Sequence, residues 1–301
     1  MALIRRWFPD ATLAPSIERI GSGVSTPVYR VVLGDTDAFL RLGEEPGERR
    51  DAEVRVHELL GKAGVPVPRI LRWEREPPEL DRSAVLTSRM PGRPIEELTL
   101  GAGELATIFR AAGRDLARIN AIPVRGYGWV DFVRGADRHL VAEHPTRAAW
   151  VVEYLVATDT VIASCVLDPT VHARLTDAMR AWAAIPEQPW SDLAHGDVDE
   201  RTHIFVATCT YTGIIDFGEI RGTDPFYDLG QALLNAENQI RRDVFANVVR
   251  GYQEVTALPD DWRERVRLQA VAIAVRALAI QFGRPPHDYR RFLTDRLYAL
   301  L

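Results

Sequence analysis

LAHGDVDERTHIFV, residues 193–206, and GIIDFGEIRGTDPFYDLG, residues 213–230, together decide how this chain is read. In the first, apolar residues lead into His195, Gly196 and Asp197. Glycine lets the chain turn sharply. The carboxylate that follows can accept a proton from a hydroxyl or fix its direction. An aspartate in a loop also serves turn formation alone, so the residue taken singly leaves both readings open. His195 reads as a hydrogen-bonded scaffold residue. In the second stretch an apolar run ends at Asp216, Phe217 and Gly218. A carboxylate at the end of a buried strand is well placed to hold a magnesium ion bridging two phosphates. Asp224 and Asp228 follow, and they either brace the preceding loop or cap the next helix.

Phosphoryl transfer needs few protein parts. Something must shield the phosphates, a cation must hold them, carboxylates must hold a metal, and one carboxylate must orient the attacking hydroxyl. The N-terminal third offers candidates for the first two. In GSGVSTPVYR, residues 21–30, Gly21 and Gly23 let a turn approach a polyanion and present backbone N–H groups. Ser22, Ser25 and Thr26 belong to the same turn, which is equally readable as a plain hairpin. Arg41 stands in the middle of the strand DAFLRLG, where a cation needs a partner. Glu53 on the following helix is that partner, and a guanidinium fork can hold carboxylate and phosphate oxygens together. The other reading of Arg41 is a strand charge facing water.

Outward from these points the pattern splits in two. The first hundred residues or so alternate as short strands around one helix, ERRDAEVRVHELLGKAG, which Gly64 closes. VPVPRIL, residues 65–71, is extended because each proline disfavours helix at itself and at the residue before. After MPGRPIEE, residues 90–97, helical spacing dominates, interrupted by the motif region, where HIFVA and YTGIIDFG form a hairpin. The expected plan is α+β: a β-rich N-terminal lobe, residues 1–92, and a helical C-terminal lobe, residues 93–301. A cleft between lobes is a common ligand site.

Composition narrows the class. With 47% hydrophobic and 26% charged residues the chain is an ordinary globular protein. The net charge of -5 argues against nucleic acid and is compatible with cationic ligands. LQAVAIAVRALAIQF is broken by Arg276 and too short to span a bilayer, so it reads as a buried helix. Cys165 and Cys209 suggest no disulfide framework; both are expected as small buried hydrophobes in a reducing, cytoplasmic setting. Among 37 Lys+Arg, Lys62 is the single lysine, so cationic roles elsewhere fall to arginine.

The two motifs, about twenty residues apart and in this order, resemble the motif pair of the aminoglycoside phosphotransferase family, whose members share a two-lobed protein-kinase-like fold. The resemblance extends over the Gly21–Gly23 turn, the Glu53 helix leading into GVPVPRIL, and VLTSRMPG. It implies that Asp197 is the catalytic Asp and Asp216 the magnesium ligand. It makes Arg41 the strand cation, lysine in most members, with Glu53 as its partner. Thr87, Ser88, Arg89 and Met90 become the linker that meets the nucleotide base through backbone groups. Asp224 would steady the metal site, with His195 supporting the loop.

One position departs from the family. Its second metal ligand, an Asn five residues after the Asp, is replaced here by Thr202, with His203 next. We read the turn as one residue longer, with His203 in the Asn slot, as in related macrolide phosphotransferases. Imidazole suits manganese better than magnesium, and Asp199 adds a carboxylate nearby. Thr202 through its hydroxyl, or a lost second site, are the competing accounts.

The implied activity is transfer of the γ-phosphoryl group of ATP or GTP, with Mg²⁺ or Mn²⁺, to a hydroxyl of a small molecule, first of all an aminoglycoside-type antibiotic. No nucleic acid or membrane partner is expected. A polycationic acceptor would want carboxylates, for which Asp131, Glu153, Asp159, Glu219, Glu237 and Asp243 are candidates or merely solvated helix faces. A macrolide would want an apolar pocket, which Trp150, Tyr154 and Val161 either line or bury as core. A housekeeping sugar or amino-alcohol kinase, a protein kinase, and a nucleotide-binding pseudokinase-like module remain the alternatives.

Overall fold

The alternating N-terminal segment becomes a five-stranded antiparallel sheet in the computed structural model, which describes residues 1–20, 28–43, 50–131, 139–237, 239–285 and 287–301. Two compact units result. The first comprises Met1–Thr99, Asp131–Leu140 and Arg201–Gly218; the second comprises Leu100–Val130, Val141–Glu200 and Glu219–Leu301.

In the first unit a short helix α1 (Ala2–Trp7) precedes β1 (Ser16–Ile20), β2 (Val28–Leu33) and β3 (Thr36–Leu42). Helix α2 (Asp51–Lys62), β4 (Ile70–Glu74), β5 (Ala84–Ser88) and β6 (Arg93–Pro94) follow. The sheet order is β1-β2-β3-β5-β4. Sequence periodicity missed α1, whose six residues are too few for a pattern. It is held by burial: Leu3, Ile4 and Trp7 pack on Val31, Leu33, Leu40 and Leu86. Helix α2 ends as Gly64 predicts. Gly64 has φ +75, its N–H reaches Gly61 O at 3.2 Å, and Val65 N–H reaches Leu60 O at 3.0 Å. This pair of bonds is a Schellman cap.

The second unit opens with α3 (Ala102–Asn120), where the Glu104 carboxylate accepts the Gly101 N–H at 2.7 Å. It continues through β7 (Pro123–Arg125), β8 (Tyr127–Val130), β9 (Leu140–His144), α4 (Arg147–Ala163), α5 (Pro169–Ala183) and β10 (Ser191–Ala194). The chain then contributes β11 (Ile204–Ala207) and β12 (Thr210–Ile214) to the first unit, in a small sheet of order β12-β11-β6. It returns to the second unit as β13 (Arg221–Thr223), α6 (Tyr227–Asn235), α7 (Gln239–Gln253), α8 (Trp262–Gln281) and α9 (Asp288–Leu300). Strands β7, β8, β9, β10 and β13 close into a small barrel. Helices α3 and α7 touch backbone to backbone, because a Cβ at Gly113 would overlap the Val248 carbonyl and one at Gly251 the Arg110 carbonyl.

The core of the second unit surrounds α8, as the apolar run predicts. Trp150, Tyr154 and Trp182 form its aromatic centre, with ring centroids 4.7–5.4 Å apart. Trp150, Tyr154 and Val161 are at most 2% exposed. The two open readings of these residues thus resolve to core. The cysteine expectation is corrected: Cys165 and Cys209 are both exposed, each at a positive φ in a turn rather than on a packed face. Among the described residues no helix is long and apolar enough to cross a membrane.

Candidate active site

In the first unit, Arg41 on β3 stands between Val28 and Val85 of the neighbouring strands. Its Nη1 donates to Glu53 Oε1 at 3.0 Å, and Arg50 Nη1 donates to Glu53 Oε2 at 2.8 Å. The Glu53 side chain is 1% exposed. Burial pushes its carboxyl up, but the Arg41 and Arg50 charges outweigh burial and hold it below the ordinary value. Arg41 is therefore a paired, partly buried cation and not a solvated strand charge. Its Nη2 also lies 3.4 Å from Asp216 Oδ1.

Asp216 follows β12 with φ +69, a left-handed conformation uncommon for any residue with a side chain. Such local strain clusters at functional sites. The next residue, Phe217, is fully buried and packs edge-on against His57 with centroids 5.4 Å apart. His57 is itself anchored through Nδ1 to Pro68 O at 2.8 Å. Because a carbonyl can only accept, His57 carries its proton on Nδ1. The anchor fixes Phe217 and with it the backbone around Asp216.

His203 reaches this point through strand register. Ile204 pairs with Ile214, and the Ile215 N–H donates to His203 O at 3.0 Å. The imidazole Nε2 lies 3.6 Å from Asp216 Oδ2. A carboxylate and an imidazole at this separation, with the carboxylate half exposed, are a donor set that fits a divalent ion. The mixed O,N chemistry favours manganese relative to an all-oxygen set.

Thr87 and Ser88 end β5, and Arg89 and Met90 follow. The Ser88 N–H donates to Arg69 O at 2.8 Å and the Arg89 N–H to Asp37 O at 3.2 Å. These two donors serve the fold, so a base at this edge would depend on other backbone groups. Gly21, Ser22, Gly23, Ser25 and Thr26 lie outside the described residues.

In the second unit, β10 delivers His195, Gly196 and Asp197 onto the N-terminal turn of α6. The Asp228 carboxylate accepts both the His195 N–H and the Gly196 N–H at 3.0 Å, and the Asn120 side-chain amide at 2.9 Å. Gly196, at φ +86, is required here: a Cβ would sit 2.8 Å from Arg221 Nε and closer still to Glu219 O. His195 is fully buried, and its Nδ1 accepts the Asp197 N–H at 3.4 Å. Asp197 Oδ1 accepts from Gln231 Nε2 at 3.2 Å. Burial and then the Asp197 charge push the Tyr289 phenol of α9 up.

The carboxylates Asp224 and Asp228 have different partners. Asp224 receives Arg147 in a two-pronged pair, Nε to Oδ1 at 3.0 Å and Nη2 to Oδ2 at 2.9 Å. Arg147 also donates to Trp182 O and Ala183 O, so Asp224 ties the start of α4 to the end of α5. Loop bracing belongs to Asp228. The resemblance gave the supporting role to Asp224, whereas the loop N–H groups go to Asp228 and Asp224 goes to Arg147; Asn120, Arg147 and Gln231 were missed. The three-residue spacing of Asp228 and Gln231 was the available signal, since it puts both on one helix face.

Of the acceptor carboxylates considered, Glu153 pairs with His144 at 2.9 Å, Glu219 with Arg221 at 2.9 Å and Glu237 with Arg241 at 3.5 Å. Asp159 and Asp243 are exposed on helix faces, and Asp131 is partly buried. A groove of about 670 Å³ runs along α9, lined by Glu237, Asp288, Arg291, Phe292, Asp295 and Arg296 among others. Arg296 is occupied by the last carbonyls of α6, donating to Leu234 O at 2.8 Å and Leu233 O at 3.0 Å.

Comparison with known proteins agrees with this architecture. A thermostable mutant of aminoglycoside phosphotransferase APH(4)-Ia, solved as a ternary complex with ADP and hygromycin B, superposes with TM-score 0.70 at 16% identity, covering 99% of this chain and 96% of that one. Macrolide 2'-phosphotransferase MphH from Brachybacterium faecium, as apoenzyme, gives TM-score 0.61 at 18% identity over 98% and 97% of the two chains. A macrolide 2'-phosphotransferase type I gives 0.63 at 13% identity over 98% and 96%. At these identities the likeness is one of fold, the α+β protein-kinase-like fold expected from the motif pair. The family model described as "Phosphotransferase enzyme family" matches residues 16–267, most of the chain. The chain belongs to the phosphotransferase enzyme family and is an enzyme of that class.

Proposed function

We propose that the protein is a small-molecule kinase that transfers the γ-phosphoryl group of ATP or GTP to a hydroxyl, with an aminoglycoside-type polyamine as the acceptor class. The observation that carries this reading is the cluster in which Arg41 joins the buried Glu53 to Asp216, itself beside His203. In this reading Arg41 holds phosphate oxygens while Glu53 fixes the direction of its fork. Asp216 and His203 would hold Mg²⁺ or Mn²⁺, which would supply neutralisation of charge on the phosphate oxygens. Asp197 accepts the hydroxyl proton as the acceptor oxygen bonds to phosphorus and the bond to the bridging oxygen breaks, leaving the nucleoside diphosphate. Positioning and charge stabilisation supply most of the rate. A cationic acceptor is supported by the net charge of -5 and by the α9 groove, which gathers Glu237, Asp288 and Asp295, with Glu237 paired to Arg241 at 3.5 Å and Asp295 to Arg291 at 3.8 Å. For a macrolide acceptor, Trp150, Tyr154 and Val161 are buried in the core, while Val152, Leu155 and Val156 of the same helix are the exposed apolar residues.

The test is ADP and GDP release with Mg²⁺ or Mn²⁺ across aminoglycosides, macrolides and small polyols. We expect stimulation by the aminoglycosides, and its abolition in Asp197→Ala with nucleotide affinity within about threefold, because Asp197 acts on the hydroxyl and not on the nucleotide. Stimulation by a polyol alone would refute the acceptor class, and full activity in Asp197→Ala would remove that residue from its role.

A further inference from the structure

We propose that Gln231 is a positioning residue for transfer, holding one oxygen of Asp197 so that the other faces the acceptor hydroxyl. This rests on the reading of Asp197 given above. Helix α6 begins at Tyr227, and its positions 228 and 231 fall one turn apart on the same face. That face holds the loop at two levels. Asp228 accepts the N–H groups of His195 and Gly196 and so fixes the backbone. Gln231 Nε2 donates to Asp197 Oδ1 at 3.2 Å and so fixes the side chain.

The residue type matters. An aspartate in a loop can rotate about two side-chain bonds, and a base must sit within hydrogen-bond reach of the proton it takes. A primary amide directs an N–H at one oxygen and carries no charge, so the other oxygen keeps its basicity. An arginine here could engage both oxygens in a fork and compete with the substrate. A carboxylate would repel. Holding the base in line before the hydroxyl arrives removes a rotational cost from the reactive encounter. Helix α6 thereby links the fold to the chemistry: the turn that caps the loop also aims its carboxylate.

The test uses full-length protein with Gln231→Met, which keeps the volume and removes the donor, and Gln231→Glu, which replaces the donor with a like charge. Both are assayed for ATP hydrolysis with water as acceptor and for transfer to the stimulating acceptor. Losing one hydrogen bond to a charged group predicts kcat about tenfold lower in Gln231→Met. We expect roughly another tenfold loss in Gln231→Glu, with KM for nucleotide unchanged and the thermal midpoint held. In NMR, the Gln231 side-chain amide resonance should move in Asp197→Asn. Wild-type kcat in Gln231→Met, or an amide resonance indifferent to Asp197→Asn, would overturn the inference. A loss accompanied by a lower midpoint or a raised nucleotide KM would overturn it too, by making the role structural. If Asp197→Ala is inactive while Gln231→Met is unaffected, only this inference fails; if Asp197→Ala is active, the underlying reading fails.

Discussion

A single residue, His203, carries most of what distinguishes this chain from the pattern it resembles. Its carbonyl accepts the N–H of Ile215 at 3.0 Å, and its imidazole Nε2 lies 3.6 Å from Asp216 Oδ2. If His203 completes the metal pair, exchanging imidazole for an amide oxygen should suit the harder ion. His203→Asn is therefore expected to raise the ratio of Mg²⁺-supported to Mn²⁺-supported activity by roughly three- to tenfold. Steady-state rates in the two metals decide it: an unchanged ratio in an active, folded variant would place His203 outside the metal site. Asp216 is a second residue whose backbone matters as much as its side chain. Its left-handed φ is tolerated by Asp and Asn far better than by bulkier residues.

At the scale of elements, the hairpin β11–β12 explains how a distant loop acquires its register. Ala207 pairs with Thr210, so two residues form the turn, Thr208 at φ +48 and Cys209 at φ +59. Two consecutive positive φ values make a type I′ turn, which prefers Asn-Gly. Thr208 is β-branched and costs more in this conformation than Asn would. Replacing the pair by Asn-Gly should stabilise the protein by about 1–2 kcal/mol without touching the site, because each left-handed residue costs on the order of 1 kcal/mol. A urea midpoint that falls in the double variant would show that the native pair makes contacts worth more than the strain.

At the scale of the whole molecule, stability should carry a pH signature from a buried acid. Asp192 lies on β10 between Thr223 of β13 and Pro123 of β7. Burial, and then the nearby Asp224 charge, push its carboxyl from 3.8 to about 7. The folded state therefore binds this proton more tightly than the unfolded state does. Its contribution falls as pH rises from about 4 to about 7 and is constant above that. Asp192→Asn should remove the effect. It should be more stable than the native chain at pH 8 by on the order of 2 kcal/mol, after allowance for partial exposure. The gap should narrow steadily towards pH 5, as read by urea midpoints. A gap that stays constant across that range would mean Asp192 ionises alike in both states.

Much of this was legible along the chain. The motif pair, the amphipathic helices, the hairpin of HIFVA with YTGIIDFG, the Gly64 cap and the Arg41–Glu53 partnership all depend on neighbours within about a dozen positions, where side-chain type and spacing dictate local geometry. Partnerships across long separations were not legible, because any of several like residues satisfies the same pattern. Arg41 meets Asp216 across 175 positions, and Asp228 meets Asn120 across 108. Asp224 and Asp228 look alike as text; Arg147, buried at the start of α4, takes one and leaves the loop to the other. Trp150 and Tyr154 fit a pocket or a core equally well until Trp182 packs between them and α8. The interleaving of residues 201–218 into the first unit follows from strand pairing of β11 with β6, which no local propensity encodes. Local chemistry chose the elements and the reactive groups. Chain closure and burial chose which of those groups face one another.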